Sequence, residues 1–401
     1  MNYKELLSRY KNGLTTDEEN HLIESELERH EALEEYLSDM IDEEFCSMSE
    51  VSEIQKHSEE AASLRKSVNK KFRKIVFISV ATVAALYIAI FFVISPFVDS
   101  LYYNPGEITV GNVDNDISFD VYAISELNMP GLNPSNVRVD KKGFGKHEVV
   151  YSYMNVFNNG LYNINYNINR GRIGSYYSNH VSYSISNEMF TCVRYPGLES
   201  NHEVRKQAVL SHLNKLNPVT YVSAGIVFER DLSMDELHNL ELKYPGIEFE
   251  WAGIRTDTPE NQVENLIGIG LINSKSSGGL LGDEGIGKKY PAFFILDWLV
   301  NSSDGANVDS DSLLVARAYE HHCVDLLEYV VDRKKAVNVL EPGRNKGEFY
   351  RSTLGFVKAH GVKTYGVFVF AEADDLLKMV EEEHVKSVEI NQALVSKKNI
   401  D

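Results

Sequence analysis

The chain has 401 residues, with 59 Asp and Glu against 40 Lys and Arg, a formal net charge of −19. Three cysteines, Cys46, Cys192 and Cys323, exclude a disulfide-stapled scaffold, and the length suffices for one large or two modest cores. The acidity is concentrated at the start: residues 1–60 hold 18 acidic against 5 basic residues, a surface that repels nucleic acid and attracts basic protein.

The first 46 residues punctuate themselves as helices. Leu6, Leu7 and Tyr10 recur at helical spacing, Gly13 stops that helix, and Thr16 with Glu19 three residues on forms a capping box that opens the next. Leu22, Ile23 and Leu27 mark one face, and Leu33, Leu37, Met40, Ile41 and Phe45 mark another, so two or three short helices are expected. Such helices bury little surface alone and must complete a core on each other or on a partner. Leu33 and Leu37 are read as core, and Met40, Ile41 and Phe45 as partner-facing.

Residues 47–74 read as a polar linker with partial helix. From Ile75 to Val98 the chain then runs 24 residues without a charge, enough at about 1.5 Å per residue to cross roughly 30 Å of bilayer hydrocarbon. A core helix of that length would normally carry a charged stripe, and the run lies too far from Met1 for a signal peptide. Arg65, Lys66, Lys70, Lys71, Arg73 and Lys74 precede it, whereas Arg138 is the first basic residue after it. The positive-inside rule therefore expects the N-terminus in the cytoplasm and residues 99–401 outside. Cys192 and Cys323 would share the outer compartment, and their spacing leaves open whether they pair.

Between residues 106 and 190 the stretches "EITVGNV", "ISFDVYAI", "HEVVYSYMNV", "YNINYNI" and "HVSYSIS" alternate apolar with polar residues and are expected to be strands, with Asn159 and Gly160 marking a hairpin. From residue 218 the pattern changes. "VTYVSAGIVFERDLSMDELHNL" reads as a strand and then a helix opened by Ser233 and Glu236, with a second strand around Trp251. "GVKTYGVFVFAEADDLLKM" and the residues after it repeat strand, helix, strand, and helices are expected at about 290–301, 310–332 and 346–360.

Two groups of residues carry a resemblance. The helix, Gly turn and Thr-led helix, the run "ESELERHEALEEYL" and one span after a linker resemble the cytoplasmic half of bacterial membrane anti-sigma factors. "TYVSAGIVFERDLSMDELHNL", the Trp251 strand and "GVKTYGVFVFAEADDLLKM" are similar to the sigma-factor-regulator C-terminal domain of anti-sigma-M-like proteins of low-GC Gram-positive bacteria. Many anti-sigma factors hold zinc in a His-x3-Cys-x2-Cys cluster; the matching positions here are Glu26, His30 and Leu33, and leucine is no ligand, so the resemblance implies a zinc-free member.

Motifs for chemistry are sparse. "GLLGDEGIGKK" has part of a phosphate-binding loop, but Lys289 stands where Ser or Thr belongs. His321, His322 and Cys323 are consecutive on an expected helix and diverge by about 100° each, so they do not converge on one metal. No enzyme and no cofactor or metal is expected. The expected architecture is α+β: a helical domain over 1–46, a juxtamembrane linker over 47–74, a transmembrane helix over 75–98, a β-rich region over 99–217 and an α+β region over 218–401. The resemblance implies an anti-sigma factor in the cell membrane that sequesters an extracytoplasmic-function sigma factor. Leu6, Leu7, Tyr10, Leu33, Leu37, Met40, Ile41 and Phe45 are its fold or contact positions, and an outer domain senses envelope stress, directly or through a further membrane regulator. It makes no direct contact with nucleic acid. The alternative is a single-pass receptor whose inner segment docks another cytoplasmic protein.

Overall fold

A computed structural model describes residues 9–46, 57–112, 114–178, 189–195, 202–258, 263, 265–272, 284–302, 312–341 and 345–397, without the side chains of 39–46, 57–64, 175–178, 284 and 312. The fold is α+β, in two compact units, Met1–Leu86 and Tyr87–Asp401. The first unit is helical. A helical turn at residues 9–11 ends at Gly13, whose φ of +67° is the left-handed stop that glycine adopts without strain. Thr16 then caps helix α1 (Asp17–Cys46): its Oγ1 accepts from the Glu19 amide at 3.4 Å, and the Glu19 carboxylate accepts from the Thr16 amide at 3.1 Å. Arg9 ties the turn back to the helix through Glu19 at 3.2 Å.

Helix α1 is one rod of 30 residues rather than the short helices expected. No Gly or Pro interrupts it, and Glu, Leu, Ala and Arg propagate a helix well. A second long helix, α2 (His57–Ala89), passes through a π turn at Ile90–Ile94 into α3 (Ser95–Leu101). Residues Arg65–Leu101 form the candidate membrane span, long and apolar enough to cross a bilayer, with Phe77, Phe92 and Phe97 each more than 60% exposed.

The second unit takes in the end of α2, the π turn and α3, and continues after an irregular stretch into α4 (Asp116–Asn128). "ISFDVYAI" is thus helix, not strand, and "EITVGNV" forms bends through residue 112; "HVSYSIS" lies outside the described residues. Ile117, Phe119 and Val121 alternate because α4 is buried on every side, which leaves no polar stripe to give a period of 3.6. Four antiparallel strands follow as a meander: β1 (Leu132–Gly143), β2 (Lys146–Asn155), β3 (Leu161–Asn169) and β4 (Arg172–Ser178). The β2–β3 hairpin turns at Asn159 (φ +55°) and Gly160, whose carbonyl accepts from the Asn155 amide.

After α5 (Thr191–Arg194) and α6 (His202–Leu213) comes the central sheet. It is built from β5 (Tyr221–Ser233), β6 (Glu248–Ile254), β7 (Gly268–Gly270), β8 (Lys363–Glu372) and β9 (Val385–Leu394), in the order β7-β6-β8-β5-β9, antiparallel throughout. Both faces are buried, which is why β5 and β8 read as near-continuous apolar runs. Val367, Val369 and Ala371 of β8 face the helical layer, whereas Phe368 and Phe370 face the four-stranded sheet, where Phe157 stacks on Tyr221 at 5.2 Å.

The helical layer comprises α7 (Met234–Lys243), α8 (Glu284–Lys289), α9 (Ile295–Ser302), α10 (Ser312–Asp332), α11 (Lys334–Leu340), α12 (Lys346–His360) and α13 (Ala373–Glu382). The expected capping box at Ser233 and Glu236 opens α7. Cys192 packs in the core under the four-stranded sheet and Cys323 in the core under the helices, so they stay unbridged thiols on opposite faces of the central sheet.

Helix α4 is pinned by charge. Asp120 is fully buried and accepts from the Tyr103 and Tyr329 hydroxyls, both at 2.8 Å, and from Arg333 Nε at 2.7 Å and Nη2 at 2.8 Å. Arg333 Nη1 also reaches buried Asp116 at 3.1 Å. Arg333→Met should strand two carboxylates and lower stability by about 3–5 kcal/mol in denaturant titration, whereas Lys289→Met, at an exposed pair with Asp332, should cost under about 1 kcal/mol.

Candidate functional site

On α1, only Ile23 is buried among the described side chains. Leu33 is 57% and Leu37 49% exposed, so neither is core as expected; with Tyr36 they form an apolar i, i+3, i+4 patch. Flanking Glu31, Glu34 and Glu35 are exposed too, making a strip of leucine and tyrosine bordered by carboxylates. Tyr10 is half-buried and its hydroxyl reaches Glu24 at 3.2 Å, which puts it against the first turns of α1. Leu6 and Leu7 lie outside the described residues; Met40, Ile41 and Phe45 lie on α1, but their side chains are outside the description. His21 and His30 are exposed. Among the described residues no group of three His, Cys, Asp or Glu is placed to hold a metal ion.

At the C-terminal end of the candidate membrane helix, two side chains grip the β1–β2 turn. Ser95 Oγ accepts from the Phe144 amide at 3.0 Å, and Asp99 Oδ1 from the Gly145 amide at 2.6 Å. Lys141 Nζ lies 2.7 Å from the other Asp99 oxygen. His147 is buried beside this pair with no hydrogen bond at either ring nitrogen among the described residues, and burial lowers its pKa below the usual value of 6.5. The turn residues are all left-handed: Gly143 at φ +81°, Phe144 at +55° and Gly145 at +75°. The sequence offered no signal for this grip, because Asp99 and Gly145 are 46 residues apart.

A third polar cluster joins α4 to α10 across the core. His322 Nε2 lies 2.6 Å from Glu126 Oε1, and its Nδ1 lies 2.7 Å from the Ala292 carbonyl. Glu126 also takes the Gly270 amide of β7. Burial opposes the imidazolium, but the Glu126 charge and hydrogen bond outweigh it and raise the His322 pKa above 6.5. Glu126 is lowered against the same burial penalty, chiefly by the His322 charge. The two are therefore an ion pair. Nearby, Glu241 accepts from Tyr319 at 3.0 Å and pairs with His238 at 2.8 Å. A shallow cleft lined by Tyr122, Glu126, Asn133 and Trp251 opens over the Glu126 pair. His321 instead stacks on Trp298, and Cys323 is buried with its thiol pKa pushed up to about 12. These groups tie helices to the sheet, and no nucleophile is paired with a base among them.

Every one of these ties between the central sheet and its helices falls in one stretch of sequence apart from α4. Residues 213–392 match the family model for the sigma factor regulator C-terminal domain. The match runs from the end of α6 into β9 and so takes in the five-stranded sheet and its helical layer, under half of the chain. It supports a sigma factor regulator role. Comparison with curated proteins gave no match, nor did comparison with solved structures.

Within the sigma-regulator domain, His322 carries a pH signature. A raised folded pKa stabilises the fold in full below the unfolded value of 6.5, and that contribution fades as pH rises through the folded value. His322→Gln should therefore cost about 3 kcal/mol near pH 6 and progressively less as the pH rises above the unfolded value, measured as the stability difference from wild type.

Proposed function

We propose that the chain is a single-pass membrane anti-sigma factor. The observation that carries this is the sigma-factor-regulator match over 213–392, joined in one chain to a candidate membrane helix and an acidic N-terminal helix. Sigma factors use basic surface for promoter DNA, and a carboxylate-rich rod with an apolar strip complements such a surface in charge and in shape. The strip of Leu33, Tyr36 and Leu37 has no cover among the described residues, and burying one leucine fully stabilises a complex by about 1.5–3 kcal/mol. The captured protein is an extracytoplasmic-function sigma factor, held away from polymerase.

The six cations from Arg65 to Lys74 favour a cytoplasmic N-terminus, which is where a sigma factor is found. The C-terminal unit then stands outside and responds to envelope stress, by itself or through a further membrane regulator. The protein acts by binding, without catalysis.

The test is capture of partners by the full chain, tagged at its C-terminus and solubilised from native membranes in mild detergent. The wild type should retain a sigma factor identified by mass spectrometry. Leu33→Asp with Leu37→Asp should lose it at least about tenfold, since two buried leucines are worth more than 1.4 kcal/mol, while thermal unfolding of the C-terminal unit is unchanged. Undiminished capture by the double variant would overturn the docking strip. Capture of non-sigma proteins alone would overturn the sigma assignment and leave a receptor with another cytoplasmic partner.

A further inference from the structure

Two β-turns converge on the end of the membrane helix. Phe144, at the tip of the β1–β2 turn, packs edge-on against Phe91 with ring centroids 5.9 Å apart. Phe91 lies seven residues before Val98, the end of the uncharged run, which is about 10 Å along a helix and so inside the apolar zone. A bulky aromatic at φ +55° is strained, and strain of this kind persists where the position serves a purpose.

Three backbone polar groups at the tip are paired, which lowers the cost of bringing them near hydrocarbon. The Phe144 and Gly145 amides are taken by Ser95 and Asp99, and the Gly145 carbonyl accepts from the Arg170 amide at 2.7 Å. Arg170 (φ +49°) and Gly171 (φ +71°) form the β3–β4 turn. The ring of Tyr102, directly after α3, lies against both turns: a Cβ on Gly145 would sit 3.3 Å from it, and one on Gly171 3.7 Å.

Around this tip the charge reverses. In a chain of net −19, Lys141, Lys142, Lys146, Arg170 and Arg172 gather at one end of the four-stranded sheet. Lys141 is held by Asp99 and Lys142 by Glu148, whereas Lys146, Arg170 and Arg172 are exposed and make no ion pair among the described residues.

We propose that these two turns are a lipid dock. Phe144 inserts among acyl chains beside Phe91, and Lys146, Arg170 and Arg172 bind the phosphates of anionic phospholipids in the leaflet on the side of the C-terminal unit. The dock fixes that unit on the bilayer surface, and it stands whether or not the partner of α1 is a sigma factor. Anionic lipid is the occupant because the cations ring an aromatic already at hydrocarbon depth, a placement that suits a headgroup and its own chains.

The full chain in nanodiscs tests it, using pure phosphatidylcholine against phosphatidylcholine with about one third phosphatidylglycerol. Hydrogen exchange of residues 141–147 and 168–173 should slow by about threefold or more in the anionic discs, and added salt should reduce the difference. The Lys146→Gln, Arg170→Gln, Arg172→Gln variant should lose the difference. Equal exchange in both compositions, or a triple variant that keeps the full difference, would overturn the dock. Insertion has its own readout: tryptophan fluorescence of Phe144→Trp should be quenched by lipids brominated near the carbonyl end of the acyl chain, and quenching no greater than in wild type would contradict it.

Discussion

The 24 uncharged residues from Ile75 to Val98 impose the constraint on which everything else depends. A run this long and apolar is a candidate to cross a bilayer, where every amide and carbonyl must be paired within the segment, and it is helical throughout. The helix accommodates its few polar residues locally: Thr82 returns its hydroxyl to the Ile78 carbonyl at 2.8 Å. Pro96 brings no amide to the ladder, and the helix passes it by widening into the π turn at Ile90–Ile94 just before. The two ends are finished differently. Six cations flank the N-terminal end, whereas Ser95 and Asp99 at the other end give their oxygens to a β-turn, joining the span to folded structure.

What the sequence made legible follows from how local each signal is. The span and the capping boxes at Thr16 and Ser233 depend on residues within one window, and all three stand in the structure. Strands β5 and β8 were readable because a sheet buried on both faces writes a solid apolar run. Helix α4 was misread for a related reason, since burial on every side erased its period and left Ile117, Phe119 and Val121 to imitate a strand. Strand β1 was missed because it begins "LNPSN", and half-exposed residues along it break any alternation. Leu33 and Leu37 were taken for core because a helical stripe looks the same whether it faces its own fold or an absent partner. The grip at Asp99 and the His322–Glu126 pair joins residues 46 and 196 apart, which no local pattern encodes.

Buried carboxyl groups at Asp120, Glu126 and Glu241 tie α4, α7 and α10 to one another, and Glu126 also ties them to the central sheet. Buried pairs of this kind are costly to desolvate, and their value lies in fixing one packing. The α1 strip is the opposite case, apolar surface left exposed among the described residues. The end of the long apolar helix is joined to the β1–β2 turn by the Ser95 hydroxyl and the Asp99 carboxylate, with the Phe91–Phe144 ring contact beside them.

The account stands or falls on which side of the membrane each end lies. The most direct measurement fuses green fluorescent protein before Met1 in one chain and alkaline phosphatase after Asp401 in another, expressed in bacterial cells. The account predicts fluorescence from the first and phosphatase activity from the second, with α1 inside and the sigma-regulator domain outside. No phosphatase activity from the fusion after Asp401, with active phosphatase when it is moved before Met1, would contradict it, because an acidic helix outside the cell would have no sigma factor to hold.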